Sequence, residues 1–231
     1  MSYCQLIEFI LKSKQEIIPN EKFLLMYINK IRWRIMNNFK QIRAFQTENT
    51  IRVYQAYNPA LAQHAVKNNS FINNPFFKES RMTWIKPSYL WMMYRCGWGY
   101  KDEGQKNILA IDISKQGFDW ALEHSCTSHK AEHMDNETWQ NFKDQHPVRI
   151  QWDPERNLYL EALDYRAIQI GLTGEAVQHY IHDWIVNVTD ITQEAQHVHQ
   201  LVLDGKLDEA TALLPEETLY IPSISKEVDE L

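Results

Sequence analysis

The most diagnostic segment of the chain reads Arg81-Met-Thr-Trp-Ile-Lys-Pro-Ser-Tyr-Leu-Trp-Met-Met-Tyr-Arg-Cys-Gly-Trp-Gly-Tyr-Lys101. Residues 82–86 alternate in character as a half-buried strand does, which predicts a strand there. Pro87 suits the first turn of a helix, so we predict a helix over residues 88–95. A Gly-Trp-Gly triplet then ends that helix. A strand that leads directly into a helix indicates a domain in which both element types pack together.

The chain after residue 50 continues in the same mixed style. Runs of β-branched and aromatic residues predict strands, and capped amphipathic runs predict helices. Two of the strands bracket a turn signal at Asp153-Pro154, which indicates a hairpin. We therefore predict an α+β fold with a mixed, largely antiparallel sheet and helices packed on it. The predicted strands cover residues 51–57, 82–86, 107–113, 148–152, 157–163, 166–171 and 184–189, and the predicted helices cover residues 58–67, 88–95, 115–123, 173–181 and 192–203.

Charge divides the chain into segments. The first 45 residues carry eight Lys or Arg against three Glu, in a chain whose net charge is -6. We predict a basic helical appendage at residues 1–41, a core domain at residues 42–204, and an acidic C-terminal helix and tail at residues 205–231. Met36 could serve as a natural start, which fits an appendage. The alternative is a functional basic arm that meets a partner.

Composition excludes several broad classes. With 44% hydrophobic residues, seven glycines and eight prolines, the chain can bury a substantial core and is not a disordered linker. The acidic net charge excludes a globally basic nucleic-acid coat protein. No apolar run reaches the roughly 20 residues of a membrane span, and the N-terminus lacks a signal-peptide pattern. The three cysteines are scattered and odd in number, so we predict a reducing compartment, the cytoplasm.

The segment 81–101 is also a candidate binding surface, because it interleaves cationic and aromatic side chains and contains no Asp or Glu. Such a mixture suits a flat, anionic ligand such as a nucleotide or a nucleic acid. A buried core is the alternative, since tryptophan and methionine at helical spacing are typical of core faces. The candidate pocket edge within the segment is the strand-to-helix junction, with Arg81, Trp84, Lys86 and Ser88.

Polar residues on three predicted strands could form one cleft, with cations for a diphosphate, an aromatic ring for a base and an amide or carboxylate for a ribose hydroxyl. Lys86 and Ser88 lie where free backbone N–H groups and the helix dipole favour phosphate. Charged strand edges around an aromatic core would produce the same pattern. The other candidates are Arg52 and Tyr54 on the strand at residues 51–57, and Gln169 and Glu175 on and after the strand at residues 166–171.

A separate cluster, Cys126, His129 and His133, has the spacing of zinc ligands. A polar surface loop explains the same residues without a metal. Because a structural zinc site normally needs four ligands, we favour the loop and predict no metal.

Five segments carry a long and specific pattern. They are Arg52-Val-Tyr-Gln-Ala-Tyr-Asn-Pro59, Arg81-Met-Thr-Trp-Ile-Lys-Pro-Ser88, Leu90-Trp-Met-Met-Tyr-Arg95, Val148-Arg-Ile-Gln-Trp-Asp-Pro-Glu-Arg156 and Ile168-Gln-Ile-Gly-Leu172. Together they resemble the signature of an uncharacterised domain-of-unknown-function family, family 4291. The resemblance covers residues 42–202 and leaves the first 35 residues outside it, which favours the appendage. The family name implies no reaction.

A more remote similarity is to ADP-ribosyltransferase-like folds. It rests on the order of a polar strand, a second strand that ends in a hydroxyl, and a third strand with an amide or an acid. This similarity implies that the protein binds NAD and transfers ADP-ribose, although Gln169 stands where a glutamate is expected unless Glu175 serves. Arg81 is a further cofactor-binding candidate. The implied roles are phosphate binding by Arg52 and Lys86, ribose binding by Ser88, ring stacking by Tyr54 or Trp84, and orientation of the ribose or acceptor by Gln169 or Glu175.

Three hypotheses about function follow. The first is a cytoplasmic enzyme that binds an NAD-like nucleotide and transfers ADP-ribose, with nucleic acid as the acceptor. The second is a non-catalytic nucleic-acid-binding module that uses residues 81–101. The third is a structural or interaction protein, for which Trp84, Trp91 and Trp98 would be buried without a neighbouring cleft.

Overall fold

The computed structural model describes residues 40–130, 134–226, 228 and 231. Every described residue belongs to one compact unit, residues 40–231. The predicted basic appendage at residues 1–41 therefore lies outside the described residues except for its last two positions, and it stays a prediction. Within the described part of the chain, no helix is long and apolar enough to cross a membrane.

Nine strands and seven α-helices make up the described part of the chain. A π-helical turn at Tyr180–Trp184 joins the fifth helix to the eighth strand. The strands are β1 (Arg43–Ala44), β2 (Thr50–Tyr57), β3 (Thr83–Ile85), β4 (Asn107–Ser114), β5 (Ser125–Thr127), β6 (Val148–Arg156), β7 (Ala162–Leu172), β8 (Ile185–Asp190) and β9 (Thr218–Leu219). The helices are α1 (Pro59–Asn68), α2 (Tyr89–Cys96), α3 (Lys115–Glu123), α4 (Asn136–Asp144), α5 (Glu175–His179), α6 (Thr192–Leu203) and α7 (Leu207–Ala212).

The described strands form three sheets. Strands β2, β4 and β8 form an antiparallel sheet with β4 in the centre. Strands β3, β7, β6 and β5 form a second sheet in that order, and only its β5–β6 pair is parallel. The short strands β1 and β9 pair antiparallel. The predicted α+β class and the mixed, largely antiparallel pairing are therefore confirmed.

Strand β4 is apolar on both faces because it lies between two hydrophobic cores. Leu109 and Ile111 belong to the larger core, whereas Ile108 belongs to a smaller core formed with α2 and α6. Successive side chains of a strand point to opposite faces, so burial on both faces requires a continuous apolar run. The same rule applies to β2, where Val53 faces the larger core and Tyr54 faces the smaller one.

The two larger sheets meet at the end of β3. The backbone N–H of Tyr54 donates to the carbonyl oxygen of Lys86 at 2.7 Å, which connects β2 to the residue that follows β3. This contact brings the polar end of β2 next to the strand-to-helix junction.

Helix α2 follows the predicted pattern of a strand, a proline and a helix. Ser88 is its N-cap, and the Ser88 hydroxyl accepts from the backbone N–H of Trp91 at 3.1 Å. The helix ends before Gly97, which adopts the left-handed region at φ 55°, where a residue without Cβ is least strained. Its apolar residues Met92 and Met93 are buried in the smaller core.

The predicted hairpin is present as β6 and β7, but its turn is displaced. Pro154 stays within β6, at a register irregularity between Pro154 and Arg156. A proline has no N–H to donate to a ladder, so it fits a strand where the pairing is interrupted by a bulge. The strand predicted at residues 166–171 is the second half of β7 and not a separate strand.

The segment predicted as an acidic C-terminal helix and tail, residues 205–231, contains the helix α7 and the short strand β9. Its Tyr220 packs edge-on against Phe118 of α3, and the Tyr220 hydroxyl donates to Asp119 at 2.7 Å. Leu231 is buried as well. The acidic composition of the segment does not indicate this packing, which depends on a few apolar side chains.

Candidate functional site

A cavity of ≈850 Å³ opens where β2, β3 and α2 meet, and its volume is within the range of cavities that bind cofactors. Its lining comes from the end of β2 and the start of α1, the segment from Phe76 to Lys86, helix α2, the turn at residues 102–105, and one face of β6 and β7. The cavity therefore lies at the junction between the two larger sheets.

One side of the cavity consists of three polar side chains on β6 and β7. Gln151 lies opposite Gln169 in the antiparallel pairing, and Asp153 lies two residues along β6 on the same face. The Nε2 atom of Gln151 donates to both carboxylate oxygens of Asp153, at 3.1 Å each. The Nε2 atom of Gln169 donates to the same carboxylate. We call these three residues the amide–carboxylate wall.

Trp84 of β3 lies beside this wall and gives the cavity an aromatic surface. It pairs opposite Gly171 of β7, and a Cβ atom at Gly171 would lie 3.0 Å from the indole ring and from the Sδ of Met82. The missing side chain therefore lets the indole approach the backbone of β7. Tyr57 and Phe76 add further aromatic lining, and such surfaces suit a planar ring.

Lys86 is the most buried cation of the cavity lining, with 6% of its surface exposed. Its Nζ donates to the carbonyl oxygen of Trp84 at 3.1 Å, and no carboxylate of the described residues forms an ion pair with it. Burial, together with the positive charge of Arg95, lowers the pKa of Lys86 from 10.5 to about 7. A nearby anion would favour the charged form of this amine.

Further cations surround the mouth of the cavity. Arg95 donates from Nη1 to the Oε1 of Gln105 at 3.3 Å, and the Nε2 of Gln105 donates to Asp102 at 2.5 Å. Lys78 and Arg81 are exposed. The lining as a whole carries four cationic side chains against two carboxylates, those of Asp102 and Asp153. This excess of positive charge favours an anionic ligand.

A family model described as Domain of unknown function (DUF4291) matches residues 41–220. The matched residues include every strand and helix described above. The chain belongs to the DUF4291 family. No curated protein matches the chain. Because the family description names no reaction, the chemistry of this DUF4291 domain has to be argued from its cavity, and the similarity to ADP-ribosyltransferase-like folds stays a prediction.

The DUF4291 cavity brings together four of the eight residues singled out from the sequence: Arg81, Trp84, Lys86 and Gln169. The sequence prediction missed the other two members of the amide–carboxylate wall: it did not single out Gln151 on the predicted strand, and it placed Asp153 in a hairpin turn. The signal that could have found them is the alternation of polar Gln and Asp along Val148–Arg156, which puts both side chains on one face of a strand.

Ser88 does not line the cavity. Its hydroxyl donates to Glu155 at 2.8 Å, and Glu217 accepts from the backbone N–H of Tyr89 at 2.7 Å. Since Ser88 itself accepts from the N–H of Trp91, the expectation that the N–H groups at this helix start are free for phosphate is wrong for Tyr89 and Trp91. Burial raises the pKa of both carboxyls, that of Glu217 to about 8.

Arg52 and Tyr54 line a different cavity, of ≈330 Å³, on the opposite face of β2. The Nε and Nη2 atoms of Arg52 donate to Asp112 at 2.7 and 3.0 Å, so this guanidinium already has a carboxylate partner. Glu175 is exposed in the first turn of α5 and lines neither cavity. The structure thus does not unite the predicted nucleotide residues in a single cleft.

The three residues with zinc-like spacing lie only partly within the described part of the chain. Cys126 is buried in β5, His129 is exposed, and His133 lies outside the described residues. Burial raises the pKa of the Cys126 thiol. Among the residues that the structure describes, no group of three His, Cys, Asp or Glu side chains is placed to hold a metal ion.

The basic and aromatic segment 81–101 divides between core and surface. Trp91 and Trp98 are buried, as a structural role predicts, but Trp84 and Trp91 also line the large cavity, which a purely structural role does not predict. Four residues at the end of the segment are exposed and carry both rings and charge: Tyr94, Arg95, Tyr100 and Lys101.

Proposed function

We propose that this protein is an enzyme that binds an NAD-like nucleotide in the ≈850 Å³ cavity and transfers its ADP-ribosyl group to an acceptor. The observation that carries the proposal is Lys86, a buried amine without a carboxylate partner in a cavity that also offers an aromatic ring and the amide–carboxylate wall. These features complement a phosphate, a planar ring and hydroxyl donors. NAD combines all three groups in one molecule.

The proposed roles follow from the positions of the side chains. Lys86, Arg81 and Arg95 would hold the diphosphate, with Lys86 becoming charged when the anion arrives. Trp84 would stack on a planar ring of the nucleotide. Gln169, with the rest of the amide–carboxylate wall, would accept hydrogen bonds from ribose hydroxyls.

The reaction breaks the bond between C1′ of the ribose and the nicotinamide nitrogen, and it forms a bond between C1′ and the acceptor. Nicotinamide leaves with the bonding electrons, and the proton of the acceptor passes to a base or to water. Positive charge develops on the sugar during such a transfer, as it does in glycoside hydrolysis. Asp153 is the carboxylate of the amide–carboxylate wall, so we assign to Asp153 the electrostatic stabilisation of this charge.

Nucleic acid is the acceptor that the surface supports best. Tyr94, Arg95, Tyr100 and Lys101 are exposed, and Arg95 also lines the cavity. Exposed rings and cations together form a stacking and phosphate-binding surface for a single strand. We place the activity in the cytoplasm, in keeping with two described cysteines, Cys96 and Cys126, that are both free.

The proposal is tested by calorimetric titration with NAD and by release of nicotinamide in the presence of a single-stranded RNA or DNA. Lys86→Met should weaken NAD binding roughly 10- to 100-fold, because it removes a charge-assisted contact to phosphate. Lys67→Met, a change at an exposed lysine outside the cavity, should leave binding unchanged. Absence of NAD binding to the unaltered protein would refute the proposal.

The same assays separate the enzyme from a non-catalytic nucleic-acid-binding module. The module would bind the single strand with a steep dependence on salt concentration and would release no nicotinamide. The enzyme would release nicotinamide and would transfer ADP-ribose either to the strand, whose mass would increase, or to water, which would give free ADP-ribose.

A further inference from the structure

The hydrogen bonds to Asp153 fix the orientation of two side-chain amides. Gln151 and Gln169 each use Nε2 to donate to this carboxylate. An ionised carboxylate only accepts hydrogen bonds, so each amide has to turn its NH₂ group toward Asp153. The oxygen of each amide then points away from the carboxylate.

The amide oxygen of Gln169 is open to the cavity. Gln169 is 7% exposed, and no donor of the described residues reaches its Oε1. Within the described part of the chain, the buried side-chain nitrogen and oxygen atoms that lack a partner are Oη of Tyr54, Nε1 of Trp91 and Nε of Arg156. The Oε1 of Gln169 also lacks a partner but is not one of these buried atoms. It is therefore not fully buried, and we infer that it is accessible from the cavity that Gln169 lines.

Gln55 shows what a structural glutamine in the same cavity looks like. Its Nε2 donates to the carbonyl oxygen of Trp84 at 3.1 Å, and its Oε1 accepts from the hydroxyl of Tyr180 at 2.8 Å. Both ends of this amide are used within the protein. Gln151 and Gln169 are used at the nitrogen end alone, which leaves two oxygens for a ligand.

We propose that Asp153 is a positioning residue that turns Gln151 and Gln169 into a pair of acceptors selective for a ligand with two adjacent hydroxyl groups, the 2′,3′-diol of a ribonucleotide. The inference rests on the proposed function, because the anionic part of the same ligand would be held by Lys86 and Arg95. A 2′-deoxynucleotide leaves one acceptor without a donor. A 2′-phosphate brings an anion toward the Asp153 carboxylate, which is unfavourable.

The test compares the dissociation constants of ADP and 2′-deoxy-ADP, which each contain one diphosphate and one sugar and differ only in the 2′-hydroxyl group. We expect the unaltered protein to bind ADP about fivefold more tightly, the value of one hydrogen bond. In Asp153→Asn, the new amide can donate as well as accept, so the glutamines are free to turn and the ratio should fall to about one. Asp102→Asn changes the other carboxylate of the cavity lining and should keep the ratio of the unaltered protein.

Each outcome has a separate meaning. A general disturbance of the cavity would weaken both nucleotides equally and leave the ratio unchanged, and this result in folded Asp153→Asn overturns the inference. Equal affinity of the unaltered protein for both nucleotides also overturns it, while the proposed function stands. Binding of neither nucleotide overturns the inference, and the titration with NAD then decides separately whether the proposed function stands. If Asp153→Asn does not fold, Gln151→Met removes one acceptor instead and should reduce the ratio to roughly twofold.

Discussion

Lys86→Met is expected to stabilise the free protein at neutral and acidic pH, although it removes a residue that we place in the binding site. Burial and Arg95 lower the pKa of Lys86 from 10.5 to about 7. Each pKa unit corresponds to about 1.4 kcal/mol, so protonating this amine in the folded protein destabilises it by roughly 5 kcal/mol. The lost hydrogen bond to Trp84 offsets about 1 kcal/mol. Allowing for relaxation around the site, we expect a net gain of roughly 2 to 4 kcal/mol at pH 6.

The sign of the pH dependence follows from proton binding. The unfolded chain keeps a proton on Lys86 up to the ordinary pKa of 10.5, whereas the folded protein loses it above about pH 7. Between these values the unfolded state binds more protons, so the stability of the unaltered protein increases with pH. The variant lacks this group. The difference in free energy of unfolding should therefore be constant below pH 7 and should decrease toward zero near pH 10.

Urea denaturation followed by tryptophan fluorescence at pH 6, 8 and 9.5 measures this difference, and the chain contains eight tryptophans as probes. Lys67→Met is the matched control, because Lys67 is exposed at the end of α1 and its replacement should change stability by less than about 0.5 kcal/mol. Equal stabilities of the Lys86→Met variant and the unaltered protein at pH 6 would refute the reasoning. A stability difference that does not change with pH would refute it as well.

Three further outcomes are expected. Calorimetry at pH 8 in buffers of different ionisation enthalpy should show uptake of up to about one proton per bound nucleotide, and Lys86→Met should abolish this uptake, because an anion restores the charge of the amine. Ser88→Ala should lower the free energy of unfolding by about 1 kcal/mol in urea titrations and leave NAD affinity within about twofold, because Ser88 caps α2 outside the cavity; a tenfold loss of affinity would contradict its placement. Gly171→Ala should weaken NAD binding about fivefold and alter tryptophan fluorescence, since its Cβ would lie 3.0 Å from the Trp84 ring; unchanged affinity would show that Trp84 does not stack on the ligand.

The elements that the sequence predicted correctly depend on local signals. Pro87 and Ser88 specify the start of α2, and the glycine after Cys96 specifies its end, so this helix could be placed to within one residue. The α+β class follows from the alternation of strand and helix patterns. The hairpin turn was predicted at the wrong place because an Asp-Pro pair is typical of a turn. In the structure, Pro154 pairs with β7 and lies inside a strand at a bulge.

The composition of the site depends on long-range pairing and was predicted only in part. Arg52 and Gln55 are close in sequence, but the alternation of side chains along β2 puts them on opposite faces and next to different cavities. Alternation alone does not tell which face meets β3. On the face of Gln55, the contact with β3 is the hydrogen bond from the Gln55 Nε2 to the carbonyl oxygen of Trp84, two residues that are far apart in the sequence.

A purely structural role does not account for a lysine at position 86. The Lys86 amine donates to the carbonyl oxygen of Trp84, which also accepts a hydrogen bond from Gln55 at 3.1 Å. This carbonyl would therefore keep a hydrogen-bond donor without Lys86. Methionine would fill a similar volume without desolvating an amine. When it is protonated, the amine therefore destabilises the folded protein, because no carboxylate of the described residues pairs with it. It lines a cavity that is large enough for an anionic ligand. In a binding site such a group gains its stabilising partner when the ligand arrives, so the free energy lost on folding is recovered as affinity for an anion.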